Sequence, residues 1–157
     1  MSSTSSQRAA ALAFLDSFDK LDGDANIALR APNCRHTMAP TSLGFSPNMT
    51  NEQWAAHLNS TKQVLTSFPV MAKEIFESGN QVTVWATSEA VFREDAKDDE
   101  DGVDWTYHGE YMFVFLFDGD GKIERIVEFL DSVKVVQVGA LIERAKRNLE
   151  TRKEGAS

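Results

Sequence analysis

Ionisable side chains interrupt segments of the chain that are otherwise apolar, and these are the side chains that could do chemistry. His36 lies in the short segment NCRHTMA, and Glu110 lies in the apolar run after Tyr107. Glu128 lies in the segment IVEFLD, which ends at Asp131. An unpaired charge in an apolar wall is energetically costly, so groups in such places tend to have a partner or a function. The pattern therefore indicates a pocket lined by acids and histidines.

Histidine and carboxylate groups of this kind suit the transfer of a proton next to a carbonyl group. Such a reaction needs a base to remove the proton, a donor to stabilise the enolate and an acid to return the proton. An apolar cavity assists because it shifts pKa values towards neutrality. The groups available for these roles are His36, His108, Glu110, Glu128 and Asp131.

Each candidate also has a structural explanation. His36 could be a core histidine that is hydrogen-bonded to the backbone, and Glu110 could form an ion pair with an arginine. Asp131 could cap the segment that follows it. Strict alternation places Glu128 and Asp131 on opposite faces of a strand, so only a bulge would bring both inward. Aromatic residues such as Trp54 could equally belong to the core.

Hydrophobic spacing predicts the helices that position these residues. A first helix is predicted over residues 9–21, and a short second helix over residues 24–30. A capping box at Thr50 begins a third helix, which ends at Pro69. A charged final helix is predicted over residues 139–153.

Alternating apolar residues predict the strands. The central feature is a hairpin over residues 105–132 with a tight turn at residues 118–121, whose glycines tolerate positive φ. Both faces of its first strand are largely apolar, so this strand is expected to be covered on both sides. The other predicted strands cover residues 33–39, 70–77, 81–93 and, as a short extended segment, 133–138.

Composition and charge exclude several classes of function. The chain has 157 residues, a formal net charge of −8 and a hydrophobic fraction of 42%, as in a single globular domain. The negative charge argues against a nucleic-acid partner, whose phosphates need a basic surface. The acidic stretch 94–104 is expected to be a solvated loop without a site. The lone cysteine, Cys34, allows no internal disulfide and no cysteine-rich metal site.

The order of the predicted elements indicates the fold class. Helices come first and strands later, which is typical of an α+β fold; we expect N-terminal helices to close a curved antiparallel sheet into a cone around one cavity. One domain is expected over residues 9–150, with a disordered lead at 1–8 and a tail at 151–157. The sequence has no apolar run of membrane-spanning length and no apolar signal-peptide core, so a cytoplasmic protein without a membrane partner is expected.

Three segments resemble a known family. They cover residues 30–43, residues 105–113 and residues 127–132, the last within an ending of the form G-K-I-x-x-x-x-E-F-x-D that begins at Gly121. Together with the order of helices and strands, they resemble the SnoaL-like branch of the NTF2-like superfamily. Within that branch they resemble small fungal proteins of polyketide and meroterpenoid biosynthesis, which include isomerases of tetrahydroxanthone biosynthesis.

The resemblance implies a cofactor-free protein, usually dimeric, that transfers protons inside the cone. It implies a catalytic role for His36 and Asp131, and the apolar surroundings of Glu110 make that carboxylate the third predicted catalytic residue. No metal site is expected, because three scattered histidines give no cluster of ligands. The predicted substrate-binding residues are Arg30, Trp54, His108, Tyr111, Glu128 and Phe129.

The predicted function is that of an isomerase that transfers protons by acid and base catalysis. Its expected substrate is a polycyclic intermediate of fungal secondary metabolism, with a polyketide-derived intermediate favoured. Cyclisation and dehydration use the same pairs of groups and stay open as alternatives. A non-catalytic binding or adaptor domain is the competing class. A cavity that contains His36 and Glu110 would favour an enzyme, and outward projection of both would favour an adaptor. A homodimer is expected through the outer face of the antiparallel strands, because an uncovered aromatic face in water favours association.

Overall fold

The computed structural model describes residues 5–156. Helices α1 to α4 cover, in order, Ser6–Asp16, Gly23–Ala28, Asn51–Lys62 and Ser132–Gly155, and short 3₁₀ turns cover Thr41–Leu43 and Glu94–Ala96. Strands β1 to β7 cover, in order, Arg30–Ala39, Leu65–Ser67, Val70–Ser78, Gln81–Glu89, Val91–Phe92, His108–Phe117 and Ile123–Leu130. The predicted α+β class is confirmed.

The strands form one large mixed sheet and one small sheet. The large sheet has the order β1–β7–β6–β4–β3, and β2 pairs with β5 in the small one. Strands β3, β4, β6 and β7 form the antiparallel meander expected from the sequence. The first strand, β1, is longer than predicted and pairs in parallel with β7, so it adds to one edge of the meander. The large sheet is curved, and it is not closed into a barrel.

One face of the large sheet carries the core. Phe113 and Phe115 on β6 are buried on this face, as is Val84 on β4. Helix α1 packs on the same face through Phe14, whose ring centroid lies 6.0 Å from that of Phe113 and 5.0 Å from that of Phe115. Burying an aromatic side chain of this size contributes about 1.5–3 kcal/mol to folding. These contacts therefore decide which parity of each strand points inward.

The opposite face of the sheet is exposed in the single chain. Met112 of β6 is 38% exposed and Phe129 of β7 is 52% exposed. His108 and Glu110 lie on the same outer side of β6. The prediction that both sides of this strand are covered is therefore wrong for the single chain.

Several element boundaries differ from the sequence prediction. Helix α1 begins at Ser6, inside the predicted lead, because the Ser5 side chain accepts a hydrogen bond from the backbone of Arg8; residues 1–4 of that lead lie outside the described residues. Helix α3 has the predicted capping box at Thr50 but ends at Lys62. The chain after it extends instead, because β2 finds a partner in β5.

The segment 133–138 was predicted to be extended and is instead the first part of α4. The Asp131 side chain caps this helix by accepting hydrogen bonds from the backbone of Val133 and Lys134. Valine favours strands, but Val135 and Val138 point towards the core with the spacing of a helix. The helix continues to Gly155, through most of the predicted tail.

The acidic stretch 94–104 is more than a solvated loop. The carboxylate of Asp98 accepts hydrogen bonds from Nε and Nη2 of Arg144 at 2.8 and 2.9 Å, and from the Asn148 amide at 2.7 Å. Arg144 also contacts Glu100. This stretch therefore fastens the C-terminal half of α4 to the body of the protein. The predicted strand 81–93 is divided at Ala90, because β4 pairs with β6 while β5 turns away to pair with β2.

Candidate active site

The inner face of the sheet, together with α3 and α4, encloses a cavity of about 450 Å³. Its walls are mostly apolar, and the carboxyl of Glu128, the phenol groups of Tyr107 and Tyr111 and the indole of Trp54 also line it. A cavity of this volume is in the range of small-molecule sites. The described residues thus provide an apolar pocket on the inner side of the sheet, as expected from the sequence, with a few polar groups in its wall.

Glu128 reaches the cavity because of the register of its strand. On β7, Ile126, Glu128 and Leu130 point inward and are buried. Parallel pairing sets Met38 opposite Glu128 and His36 opposite Ile126, so the side chains of His36 and Glu128 meet. The His36 Nε2 atom lies 2.9 Å from the Glu128 Oε2 atom. This contact joins the edge strand β1 to its neighbour β7 at the wall of the cavity.

Arg30 determines which nitrogen of His36 carries the proton. The guanidinium Nη2 of Arg30 lies 3.1 Å from the His36 Nδ1 atom. A guanidinium can only donate hydrogen bonds, so Nδ1 must be the acceptor. The proton of the neutral ring is then on Nε2, which donates to the carboxyl of Glu128. Arg30 therefore orients His36, and His36 orients Glu128.

Arg30 is itself held by Asn26 of α2. Its Nε and Nη2 atoms donate to the Asn26 side-chain oxygen at 3.0 and 2.7 Å, and the indole of Trp54 donates to the same oxygen at 3.0 Å. The Arg30 guanidinium carbon lies 5.3 Å from the ring centroid of Phe14 and 5.1 Å from that of Trp54. Such cation–π contacts stabilise a cation that has lost its water.

His36 does not touch the cavity directly. Its side chain is 0% exposed and stacks on Trp54, with ring centroids 3.9 Å apart and an interplanar angle of 19°. Trp54 and Glu128 line the cavity, and His36 lies behind them. The structure thus places His36 behind the wall of the cavity rather than in its lining, in contact with Glu128.

Burial shifts the pKa values of this cluster in opposite directions. Loss of water raises the pKa of Glu128 to about 8, against an opposing effect of the Arg30 charge. Loss of water, reinforced by the Arg30 charge, holds the pKa of His36 well below its usual value. Burial also lowers the pKa of Arg30 to about 10, which leaves it protonated near neutral pH. At neutral pH the cluster therefore holds a neutral imidazole and a carboxyl that gains and loses its proton readily.

Two tyrosines provide the hydroxyl groups of the cavity. The phenol oxygens of Tyr107 and Tyr111 lie 2.7 Å apart, and the Ser88 hydroxyl donates to the oxygen of Tyr111 at 2.7 Å. Burial raises the pKa of both phenols, so both keep their protons near neutral pH. Both rings lean over Gly109, where an added Cβ would lie too close to both phenol oxygens. The glycine thus provides the space in which the hydroxyl groups meet.

Four predicted site residues lie away from the cavity. Glu110 is exposed on the outer face, where its carboxylate accepts a hydrogen bond from the indole of Trp85 at 2.6 Å. Its predicted place in the cavity is wrong because the even-numbered positions of β6 point outward. His108 shares that face, and its Nδ1 atom lies 3.6 Å from the Glu89 Oε1 atom. Phe129 also points outward and is exposed.

Asp131 is exposed and caps α4, which is the structural explanation that the sequence left open. No bulge brings it inward, so it and Glu128 stay on opposite sides of the strand. Of the predicted substrate-binding residues, Trp54, Tyr111 and Glu128 line the cavity, and Arg30 lies behind it.

Sequence reasoning missed several polar residues of the site. Tyr107 could have been found, since it shares the parity of Tyr111. Ser88 and Asn26 carried no local signal, because their importance depends on strands and helices that meet only in the fold. Within residues 5–156, no group of three or more His, Cys, Asp or Glu side chains could hold a metal ion. In the same range, no helix is long and apolar enough to cross a membrane.

Comparisons with known proteins agree with this fold. No family model matches the sequence. The chain is 26% identical over 134 residues to the Austinoid biosynthesis cluster protein H of Aspergillus calidoustus, which covers 85% of this chain and 88% of the relative. The structure is similar to that of the BvnE pinacolase from Penicillium brevicompactum, with a TM-score of 0.74, 22% identity and coverage of 90% and 96% of the two chains.

It is also similar to an NTF2-like protein of unknown function from Burkholderia pseudomallei, with a TM-score of 0.68, 14% identity and coverage of 85% and 97%. The fold is therefore NTF2-like, and proteins from fungi are among its structural neighbours. The resemblance to the SnoaL-like branch that the sequence suggested is confirmed.

The raised pKa of Glu128 predicts that stability falls as pH rises. The carboxyl keeps its proton in the folded chain up to about pH 8, whereas the reference pKa is 4.5. Between these values the folded state binds more protons than the unfolded state, so rising pH favours unfolding. The lowered pKa of His36 destabilises the fold only below about pH 6.5, where the unfolded histidine gains a proton. Between about pH 6.5 and pH 8, the free energy of unfolding should therefore fall by up to about 2 kcal/mol.

Urea denaturation at several pH values in this window would measure the effect. Glu128→Gln should make the free energy of unfolding nearly independent of pH in this window. Glu110→Gln, which changes an exposed carboxylate, should keep the pH dependence of the parent protein. A parent protein whose stability is flat between these pH values would contradict the raised pKa.

Gly109→Ala tests the close approach of the tyrosines. The added methyl group must push the two phenol oxygens apart within a packed core, which should cost about 1–3 kcal/mol of unfolding free energy. Gly139→Ala in α4 is the matched control, because its Cβ meets nothing within 4 Å and alanine favours a helix. Thermal unfolding followed by circular dichroism would compare them, and equal stability of the two variants would refute the assigned role of Gly109.

Proposed function

We propose that this chain is an isomerase that moves protons on a polycyclic intermediate of fungal secondary metabolism. The observation that carries the proposal is the carboxyl of Glu128, which is 5% exposed at the wall of an apolar cavity and has its pKa raised to about 8. A general base works best when its pKa lies near the working pH. Burial therefore gives this carboxylate the basicity that enolisation needs.

The reaction divides into two proton transfers through one group. The Glu128 carboxylate removes a proton from a carbon next to a carbonyl, so that a C–H bond breaks and an O–H bond forms on Glu128. The electron pair of the broken bond enters the enolate. Glu128 then returns the proton to another carbon or to the other face of the same carbon. Nothing is oxidised or reduced, and no added cofactor is required.

A phenol of the tyrosine pair stabilises the enolate oxygen. Ser88 donates to Tyr111, and one phenol hydrogen is used in the bond between the two tyrosines. Whichever way that bond points, one phenol hydrogen of the pair is left for a ligand. A preorganised donor in a cavity with little water is effective at stabilising developing negative charge.

The shape of the cavity favours a flat substrate. Aromatic rings on several sides of the cavity, including Phe18, Phe45, Trp54 and Phe68, can pack against a fused ring system. The relative named for austinoid biosynthesis and the neighbour named a pinacolase support a place in fungal polyketide or meroterpenoid chemistry. An adaptor domain would have no need for the buried cluster of Arg30, His36 and Glu128. Cyclisation and dehydration would use the same groups.

Glu128→Gln should lower the rate of proton exchange by about 10²–10⁴-fold, because it removes the base but keeps its shape. Tyr107→Phe should lower the rate less, since Tyr111 remains. The readout is solvent deuterium incorporation into an enolisable bicyclic ketone such as 2-tetralone, followed by mass spectrometry. Glu110→Gln and Asp131→Asn test the sequence-based assignment and should stay within a few-fold of the parent. If Glu128→Gln exchanges as fast as the parent while Glu110→Gln does not, the base is on the other side of the sheet.

We also propose a homodimer formed through the outer face of the large sheet. Phe129, Met112 and Trp85 are paired directly across three strands and form one apolar row, in which Phe129 and Met112 are exposed and Trp85 is half-buried. Phe76, at 53% exposure, adds to the exposed apolar area of β3. A contiguous apolar patch of this kind is typical of an interface.

Met112→Lys should convert the dimer to a monomer at micromolar concentration, because it introduces a charge into the middle of the apolar row. Light scattering coupled to size-exclusion chromatography would measure the mass. Val133→Lys, at an exposed valine of α4, is the control and should leave the mass unchanged. A parent protein that is already monomeric would contradict the proposal.

A further inference from the structure

The edge of the cavity between α3 and α4 carries a second polar group of residues, separate from Glu128 and the tyrosines. His57 and Ser60 of α3 and Lys146 of α4 all line the cavity. The Lys146 ammonium group donates to the Ser60 hydroxyl at 2.9 Å, which links the two helices. Sequence reasoning assigned no role to Ser60 or Lys146.

Lys146 is the one Lys or Arg among the described residues that line the cavity. Its side chain is 28% exposed, so part of its stem is buried against the wall. The nearest carboxylate oxygen, on Glu143, lies 3.6 Å away on a side chain that is 65% exposed. An ion pair this exposed contributes little and is readily exchanged for another anion.

His57 adds a second group that can hydrogen-bond a ligand. Its ring lies 5.3 Å from the ring of Trp54 and 6.0 Å from the ring of Phe45. Burial, and then the charge of Lys146, lower its pKa, so it is neutral near neutral pH. In the described part of the chain its ring nitrogens form no hydrogen bond with another side chain, which leaves them for a ligand.

We propose that Lys146, with Ser60 and His57, forms a subsite for an acidic oxygen of the substrate, a carboxylate or an ionised phenol. The inference rests on the proposed function for its substrate, and it narrows that substrate to an acidic polycycle. The ring system packs on Trp54, which contacts both His36 and His57, with the reacting carbon at Glu128 and the acidic oxygen at Lys146. Opposite charges attract more strongly next to an apolar wall than in water, so this subsite selects for a negative charge even though the chain has a net charge of −8.

The test compares an anionic probe with a neutral probe of similar shape. Binding of 8-anilino-1-naphthalenesulfonate and of N-phenyl-1-naphthylamine is measured by fluorescence titration for the parent, Lys146→Gln, Lys146→Arg and Lys134→Gln. Lys134 is the matched control, since it is an exposed lysine of the same helix that does not line the cavity. Circular dichroism confirms the fold of each variant.

Lys146→Gln should lower the affinity for the anionic probe about tenfold, because one charge-assisted contact is lost. Its affinity for the neutral probe should stay within about twofold of the parent value. Lys146→Arg and Lys134→Gln should behave as the parent. Equal changes for both probes, or no change for either, would overturn the proposal. If Lys146→Gln does not fold, the salt dependence of probe binding by the parent protein is the test. Added salt should then lower the affinity for the anionic probe but not for the neutral probe, and equal salt effects on both would overturn the proposed subsite.

These outcomes do not depend on turnover. Charge-selective binding without deuterium exchange would leave the subsite standing and reject the isomerase. Deuterium exchange that requires Glu128, together with probe binding that does not select for charge, would support the isomerase and reject the subsite.

Discussion

The buried guanidinium of Arg30 is the group on which the site depends. Removing such an ion from water costs several kcal/mol, so it persists only with partners that replace its hydration. Asn26 and the rings of Phe14 and Trp54 provide much of that replacement, and His36 accepts one of its hydrogens. Because a guanidinium cannot accept, this contact fixes the imidazole tautomer and thereby the donor that meets Glu128.

The same cation explains how two acid–base groups can share a dry site. If His36 and Arg30 were both charged, two cations would lie 3.1 Å apart without water. A neutral imidazole avoids that repulsion. Its Nε2–H group still donates a hydrogen bond to Glu128, whose other surroundings are mostly apolar. Desolvation outweighs the attraction of Arg30 and raises the carboxyl pKa to about 8. The cluster therefore holds the carboxyl near the point at which a proton moves in either direction.

The alternation of apolar residues predicted the strands of the meander and which residues share a face of a strand. It did not predict which of the two faces points inward. It correctly separated Glu128 from Asp131, and the spacing of Tyr107, just before β6, and Tyr111 fits their place on one face of the sheet. Both faces of β6 are apolar, so the pattern could not decide between Glu110 and the tyrosines; packing of Phe14 on the sheet decides it. The parallel pairing of β1 with β7 also has no local signal, because the two strands are about ninety residues apart, as the contact between His36 and Glu128 shows.

The two walls of the cavity are stabilised in different ways, and this bears on how a substrate enters. The sheet wall rests on a continuous aromatic core, with Glu128 fixed by its buried hydrogen bond to His36. The helical wall is formed by α3 and α4. The first half of α4 meets the cavity through Val135, Val138 and Ile142, and Lys146 follows in its second half. The second half is fastened by the contacts of Asp98 with Arg144 and Asn148, which are partly exposed and contribute less than buried contacts. Any opening of the cavity should therefore begin at α4, and the groups that move protons stay in place while the wall that recognises the substrate adjusts.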